Sequence, residues 1–176
     1  MVSKGQGMSD ITIALAGNPN AGKTTIFNAL TGLRQHTGNW PGKTVEKKEG
    51  EIEHGDMVIN IVDLPGTYSL TAYSPEEIIA RDYIIEERPD VVINVIDATN
   101  LERNLYLTVQ ILELDVPVVL ALNMTDDLHK DGARINADQL SQLLGNIPIV
   151  STTANQGKGI PELISKAVRA ARQKTN

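Results

Sequence analysis

The stretch GNPNAGKTT, residues 17–25, holds the residue types that bind a phosphate chain. Gly17 and Gly22 are followed by Lys23 and Thr24 in the spacing G-x-x-x-x-G-K-T. Glycines let backbone N–H groups close around phosphate oxygens, and a helix opening at residue 23 adds the partial positive charge of its N-terminus. The expected nucleotide cradle is therefore Gly17, Asn18, Pro19, Asn20, Ala21 and Gly22 with Lys23, Thr24 and Thr25. Lys23 is placed for the β- and γ-phosphates, and the Thr24 hydroxyl for Mg2+. The loop alone leaves ATP and GTP open.

Three further phrases narrow the chemistry. DLPG (63–66) ends an apolar run. Asp63 there can hold Mg2+ through water, and the Gly66 N–H can approach a γ-phosphate because no side chain intervenes. NMTD (123–126) ends a second apolar run. The Asp126 carboxylate can accept from guanine N1–H and the 2-amino group, whereas adenine offers neither donor and would leave the carboxylate unpaired. Asn123 is expected to tie the loops together and contact the base edge, with the Met124 stem over the base face. In STTANQGKG (151–159), Thr153-Ala154 is the pair expected to bring the Ala154 N–H to guanine O6. Between the phosphate loop and DLPG a threonine must supply a second Mg2+-ligating hydroxyl when a γ-phosphate is present. Thr44 is the better candidate and Thr37 the alternative.

These loops need strands and helices to hold them. Apolar runs at 11–16, 57–63, 90–97, 117–123 and 147–151 alternate with helical patterns, which predicts βαβ units and a mainly parallel sheet. The charged, alternating run 44–54 reads as an antiparallel edge strand, turned into the next by Gly55-Asp56. Helices are predicted after the phosphate loop (23–31), from Ser74-Pro75 with Glu77 as a capping box, from Thr99 with Glu102 as another, at about 137–144, and near the C-terminus. In the last of these, Ile160, Leu163, Ile164, Ala167, Val168 and Ala171 fall on one face and read as core.

Composition sets the outer limits. The 176 residues are enough for one well-buried domain, and a net charge of −6 argues against a nucleic-acid surface. No cysteine is present for a disulfide or thiolate metal site, and no apolar run reaches the length of a membrane span. Residues 1–8 read as a leader or unstructured N-terminus, with Met8 as an alternative start, and 9–176 as the nucleotide-binding domain. His36, His54 and His129 show no ligand spacing and read as solvated.

With GNPNAGKTTIFNALTG, TGNWPGKTVEKKEG, VDLPGTYSL, DATNLERNLYLTVQILEL and ALNMTD in place, the chain resembles the cytoplasmic G domain of the FeoB family of prokaryotic ferrous-iron transport proteins. The resemblance implies an α/β Ras-like fold: six strands, one antiparallel, with about five helices. It implies GTP binding with Mg2+, slow hydrolysis to GDP, and two switch loops at about 33–45 and 63–74. It also implies helical regulatory and membrane domains as partners at the cytoplasmic face of the membrane, this soluble piece being one domain of a longer protein, and a homo-oligomer through the switch regions.

Ras-like enzymes place a glutamine after D-x-x-G to orient water, whereas Thr67 stands there in this chain. Related GTPases with Pro-Asn in the phosphate loop use the asparagine as a K+ ligand. By that resemblance Asn20 binds K+, with Gly38 and Trp40 carbonyls completing the shell, and the first switch closes over the nucleotide. Lys23, Asn20, Thr44 and Gly66 then form the catalytic set, the water held by backbone around Thr44 and Gly66. The other reading of Asn20 is a cap on local backbone, and of Trp40, packing beside the loop. An Era-like ribosome-associated GTPase, a GTP-dependent partner-binding switch with little turnover, and a P-loop ATPase are the competing functions.

Overall fold

The computed structural model describes residues 10–174, so the leader expected at 1–8 lies outside the described residues. Seven strands form one sheet: β1 (Ile11–Gly17), β2 (Gln35–Asn39), β3 (Glu46–His54), β4 (Met57–Asp63), β5 (Val91–Asp97), β6 (Val118–Asn123) and β7 (Ile149–Ser151). Their order is β2-β3-β4-β1-β5-β6-β7. Strands β4 to β7 are mutually parallel, while β3 runs antiparallel to β4, and β2 to β3. Six α-helices accompany them: α1 (Lys23–Thr31), α2 (Pro75–Asp82), α3 (Leu101–Leu112), α4 (Thr125–Lys130), α5 (Ala137–Leu143) and α6 (Ile160–Gln173).

The α/β Ras-like class expected from the sequence holds, with one strand more than expected. Residues 35–39, read as part of a mobile loop, pair with β3 from Gln35↔Gly50 to Asn39↔Glu46. Nothing in QHTGN alternates in hydrophobicity. The strand exists because β3, an edge otherwise, offers it a ladder of unpaired backbone groups.

The central strands are apolar almost throughout because helices cover both faces. On one face Ile13, Leu15, Ile93 and Val95 meet Ile26 and Phe27 of α1 and Leu163, Ile164 and Ala167 of α6. On the other, Ala14, Val62 and Val92 meet Ile79 of α2 and Leu107 and Ile111 of α3. Each such fully buried aliphatic side chain contributes about 1.5–3 kcal/mol. This packing fixes the strand ends from which the candidate site projects.

Helix starts follow local chemistry. Ser74 caps α2, accepting from the Glu77 N–H at 3.1 Å, with Pro75 at the first helical position. The second expected capping box does not form. Asp97 caps a short 3-10 turn instead, accepting from the Thr99 N–H at 2.9 Å and its hydroxyl at 2.6 Å. The Thr99 hydroxyl is turned to the Asp97 carboxylate, and α3 starts after Asn100 with no side-chain cap hydrogen bond. The chain after α2 widens into a π-helical turn over Tyr83–Glu87.

Candidate nucleotide site

β1 delivers the phosphate loop at the C-terminal edge of the parallel sheet, the crevice where open α/β sheets bind ligands. Gly17 packs so tightly on β5 that a Cβ there would lie 2.8 Å from the Val95 carbonyl oxygen. The loop then turns, the Ala21 N–H donating to the Asn18 carbonyl at 3.2 Å. Asn20 takes a left-handed conformation at φ 70°, which asparagine tolerates better than most residues. Gly22, at φ 94°, precedes α1, and a Cβ on it would lie 2.1 Å from Asn123 Nδ2. Below it, α1 opens with N–H groups that have no intrahelical acceptor, the general source of anion affinity at such a terminus.

A cavity of about 570 Å³ is lined by Asn18, Pro19, Asn20, Gly22, Lys23, Thr24, Thr25, Gly66 and Met124. The Lys23 ammonium and the Asp63 carboxylate form an ion pair beside it. Both side chains are about 9% exposed. Burial raises the Asp63 carboxyl above its usual value, and the adjacent Lys23 charge and hydrogen bond pull it part of the way back. Gly66 lies against the loop, where a Cβ would come 3.4 Å from the backbone of Pro19. The Thr67 N–H donates to the Gly17 carbonyl at 3.1 Å.

A second cavity, about 170 Å³, brings together Asn123, Met124, Asp126, Thr153 and Ala154 beside Gly22 and Thr25. Asn123 is the knot of this corner. Its Nδ2 donates to the Ala21 carbonyl at 3.1 Å. Its Oδ1 accepts from the Thr152 hydroxyl at 3.0 Å and from the Ala154 N–H at 3.1 Å. The loop-tying role read from the sequence is thus visible. The Ala154 N–H, expected at a base oxygen, is donated to Asn123 here. Thr152 was missed. It is the first hydroxyl after a strand, and the sequence TTA offers two candidates for one partner.

The first switch loop stands apart. Thr44 and Thr37 are exposed, and neither lines the phosphate cavity. Gly38 is paired opposite Lys47 in the sheet, and the Trp40 carbonyl accepts from the Lys43 N–H at 2.9 Å. The Trp40 ring is buried beneath α2, edge-on to Tyr83 at 5.7 Å with Lys47 Nζ 4.9 Å from its centroid. Neither sequence reading anticipated this: the ring is neither on the surface nor over the phosphate loop.

The second switch loop is tied to the helices by Glu77, read from the sequence only as a capping residue, and by Gln110 and Arg103, which the sequence did not single out. The Glu77 carboxylate accepts from the Thr71 hydroxyl at 2.8 Å and the Tyr73 N–H at 3.2 Å. These hydrogen bonds, the Thr71 one foremost, lower its pKa. Gln110 Oε1 accepts from the Leu70 N–H at 2.7 Å, and the Arg103 guanidinium lies 4.3 Å over the Tyr68 ring. His36, His54 and His129 are exposed, and no cluster of metal-ligating side chains occurs among the described residues.

A Ras-like sheet, a phosphate loop at its C-terminal edge and a guanine-type carboxylate loop beside it define a P-loop G domain. The chain belongs to the family described as ferrous iron transport protein B, whose model matches residues 11–167. It is 55% identical over 159 residues to the Fe(2+) transport protein A/Fe(2+) transporter FeoB fusion protein of Porphyromonas gingivalis. That match covers 90% of this chain and 19% of the relative, so the chain spans about a fifth of it. Among solved structures, an S. thermophilus NFeoB variant bound to mGDP superposes with a TM-score of 0.86 at 51% identity, covering 90% of this chain and 60% of that one. The FeoB G domain of Methanococcus jannaschii gives 0.83 at 50% identity, covering 94% and 99%.

Proposed function

We propose that this G domain hydrolyses GTP to GDP and phosphate, and that K+ accelerates the reaction. The observation that carries the reading is the pairing of two cavities: one presents Lys23 and Thr24, the other Asp126 and Asn123, with Gly22 in both. A triphosphate lying along α1 would span them. Asp126 is partly buried in its cavity, where a base lacking two donors would leave it unpaired. That argues for guanine over adenine.

The side chains present fit the implied cations. Thr24 carries an exposed hydroxyl in the phosphate cavity, and Asp63 is a buried carboxylate already holding a cationic partner. Among the described residues nothing hydrogen-bonds the exposed Asn20 side chain, which disfavours a local backbone cap and leaves its carbonyl available. When bound, Mg2+ and K+ would both supply positive charge against the phosphates. Thr44, Gly38 and Trp40 do not line the phosphate cavity and would join the site only through a rearrangement of the first switch. Closure is then an order change of the kind seen in GTPase switches, and the backbone near Thr44 and Gly66 would hold the water.

The wider role we infer is regulation of ferrous-iron uptake by attached helical and membrane domains, with this domain at the cytoplasmic face; the Fe(2+) transporter names of the relatives and the cytosolic-domain structure of L. pneumophila FeoB support it. Family membership displaces the Era-like reading. A partner-binding switch is favoured by one observation. Tyr68, Tyr73 and Tyr106 are 45%, 91% and 59% exposed on the second switch and α3, the residue type enriched at interfaces. Asn20→Ala tests the proposal. It should lower turnover in KCl by roughly 10–100-fold and erase the preference over NaCl. Equal turnover by the variant, with its cation preference kept, would refute it.

A further inference from the structure

Trp40 is buried in a segment whose proposed work lies elsewhere. It is 7% exposed and belongs to the core cluster that holds Val62, Leu70 and Ile79. Its ring meets Tyr83 edge-on with centroids 5.7 Å apart, and Lys47 Nζ stands 4.9 Å from its centroid. Both are favourable geometries for an indole. Tyr83 opens the π-helical turn after α2, a local widening of the kind that recurs at functional sites.

Trp40 also closes a turn of the first switch. Its N–H donates to the Val45 carbonyl at 2.9 Å, and its carbonyl accepts from the Lys43 N–H at 2.9 Å. Thr44 lies inside that turn, exposed and outside the phosphate cavity. The Thr44 hydroxyl and the Trp40 carbonyl, the groups given to Mg2+ and K+, thus ride on one short turn anchored by the indole. The anchor is incompletely satisfied. Trp40 Nε1 is buried with no hydrogen-bond partner among the described residues. A buried indole N–H without an acceptor is destabilising, and that cost disappears when the ring reaches water. With Pro41 and Tyr83 the ring walls a groove of about 580 Å³ between β4 and α2, so it can leave by the surface rather than through the core.

We propose that the Trp40–Tyr83 contact is an autoinhibitory latch: it holds the first switch off the nucleotide, and Tyr83 thereby sets how readily that loop closes over GTP. The inference rests on the GTP-dependent closure proposed above. A γ-phosphate that draws in the first switch works against the latch, whereas GDP does not. The latch therefore lowers affinity for the triphosphate alone. Because α2 follows the second switch through the Ser74 cap, the contact also joins the two switches.

Trp40 is the only tryptophan, so selective excitation of indole reports on it alone. The test measures acrylamide quenching with GDP and with a non-hydrolysable GTP analogue, each at a saturation set by calorimetry, in Mg2+ and KCl. Quenching should rise about twofold or more with the analogue and stay low with GDP. Tyr83→Leu, which keeps an apolar side chain, should be quenched readily with either nucleotide and bind the analogue several-fold tighter, with GDP affinity unchanged. Tyr83→Phe keeps the edge-on contact and should match wild type in both readouts. Lys47→Met takes the cation from the ring and should move both readouts as Tyr83→Leu does, by less. It decides the question if Tyr83→Leu does not fold. Analogue bound with Trp40 as shielded as it is with GDP would overturn the inference alone. So would latch variants that keep the wild-type ratio of analogue to GDP affinity, including those that weaken both equally through general damage. A wild-type domain that does not bind the analogue would overturn the GTP reading and this inference with it.

Discussion

Lys23 and Asp63 pair with each other beside the phosphate cavity, though the sequence directs the chemistry of each elsewhere. The proposed function gives the lysine to the phosphates and the aspartate to Mg2+. In this structure the two charges neutralise one another, which is what two buried ions require. The pair therefore holds the site in shape with its own charges, and under the proposed function nucleotide binding would have to separate it.

This pairing predicts a pH-dependent penalty. Lys23→Ala leaves the Asp63 carboxylate buried without its cation, at a cost of roughly 1–3 kcal/mol at pH 7. The Asp63 pKa is already raised by burial, and removing Lys23 raises it further. The folded variant then holds a proton that the unfolded chain has released, so its stability falls as pH rises through that window. Urea unfolding at pH 5 and pH 7 should show a smaller gap from wild type at the lower pH. The double variant Lys23→Met/Asp63→Asn should lose less than the sum of the single changes.

Gly22 is required twice over, by its positive φ and by the Asn123 amide that occupies the space of a Cβ. Gly22→Ala should cost about 2–4 kcal/mol and abolish nucleotide binding, because the phosphate loop and the Asn123 corner would be forced apart. Gly55→Ala at the β3–β4 turn is the control. Its φ is also positive, at 61°, but nothing lies within 4 Å of a Cβ there, so about 1 kcal/mol is expected. Thermal melts and nucleotide titration distinguish the two.

The proposed function makes base choice rest on Asp126. Asp126→Asn replaces one acceptor by a donor, which suits the carbonyl at C2 of xanthine in place of the guanine amino group. GTP affinity should fall by at least about 100-fold while XTP binds better than it does to wild type. Competition of each nucleotide against a fluorescent GDP measures both.

Tyr83 meets the Trp40 ring edge-on, and burial, with Glu87, Glu49 and Asp90 adding negative charge, pushes its phenol up to about 12. The unfolded chain releases that proton near pH 10, so unfolding releases a proton and stability falls as pH rises from about 10 to 12. Tyr83→Phe should flatten that part of the stability profile, measured by urea midpoints across the range.

Much of this site was legible because its chemistry and its fold share the same residues. Strand β4 was read at its observed bounds, and β1, β5 and β6 to within a residue or so at each end, because strands covered on both faces are apolar throughout. The loops at 17–25, 63–66 and 123–126 stand at the ends of those strands, as their motifs require. Strand β2 was invisible because it is held by backbone pairing with its side chains largely exposed, and α4 because TDDLHK is too short to show a period. Asp97, only two residues before Thr99, took the cap that Thr99 was expected to provide, and Trp40 went under α2 through its contact with Tyr83, more than 40 positions away. No local pattern announces that contact.

The central claim is that this domain hydrolyses GTP and that a cation at Asn20 substitutes for the glutamine that Thr67 replaces. Steady-state GTP hydrolysis in KCl and in NaCl at equal ionic strength and fixed Mg2+ tests it most directly. The account predicts much faster turnover in KCl, with ATP hydrolysed in neither salt. Equal, slow turnover in both salts would contradict it and leave a GTP switch that waits for a charged group from a partner.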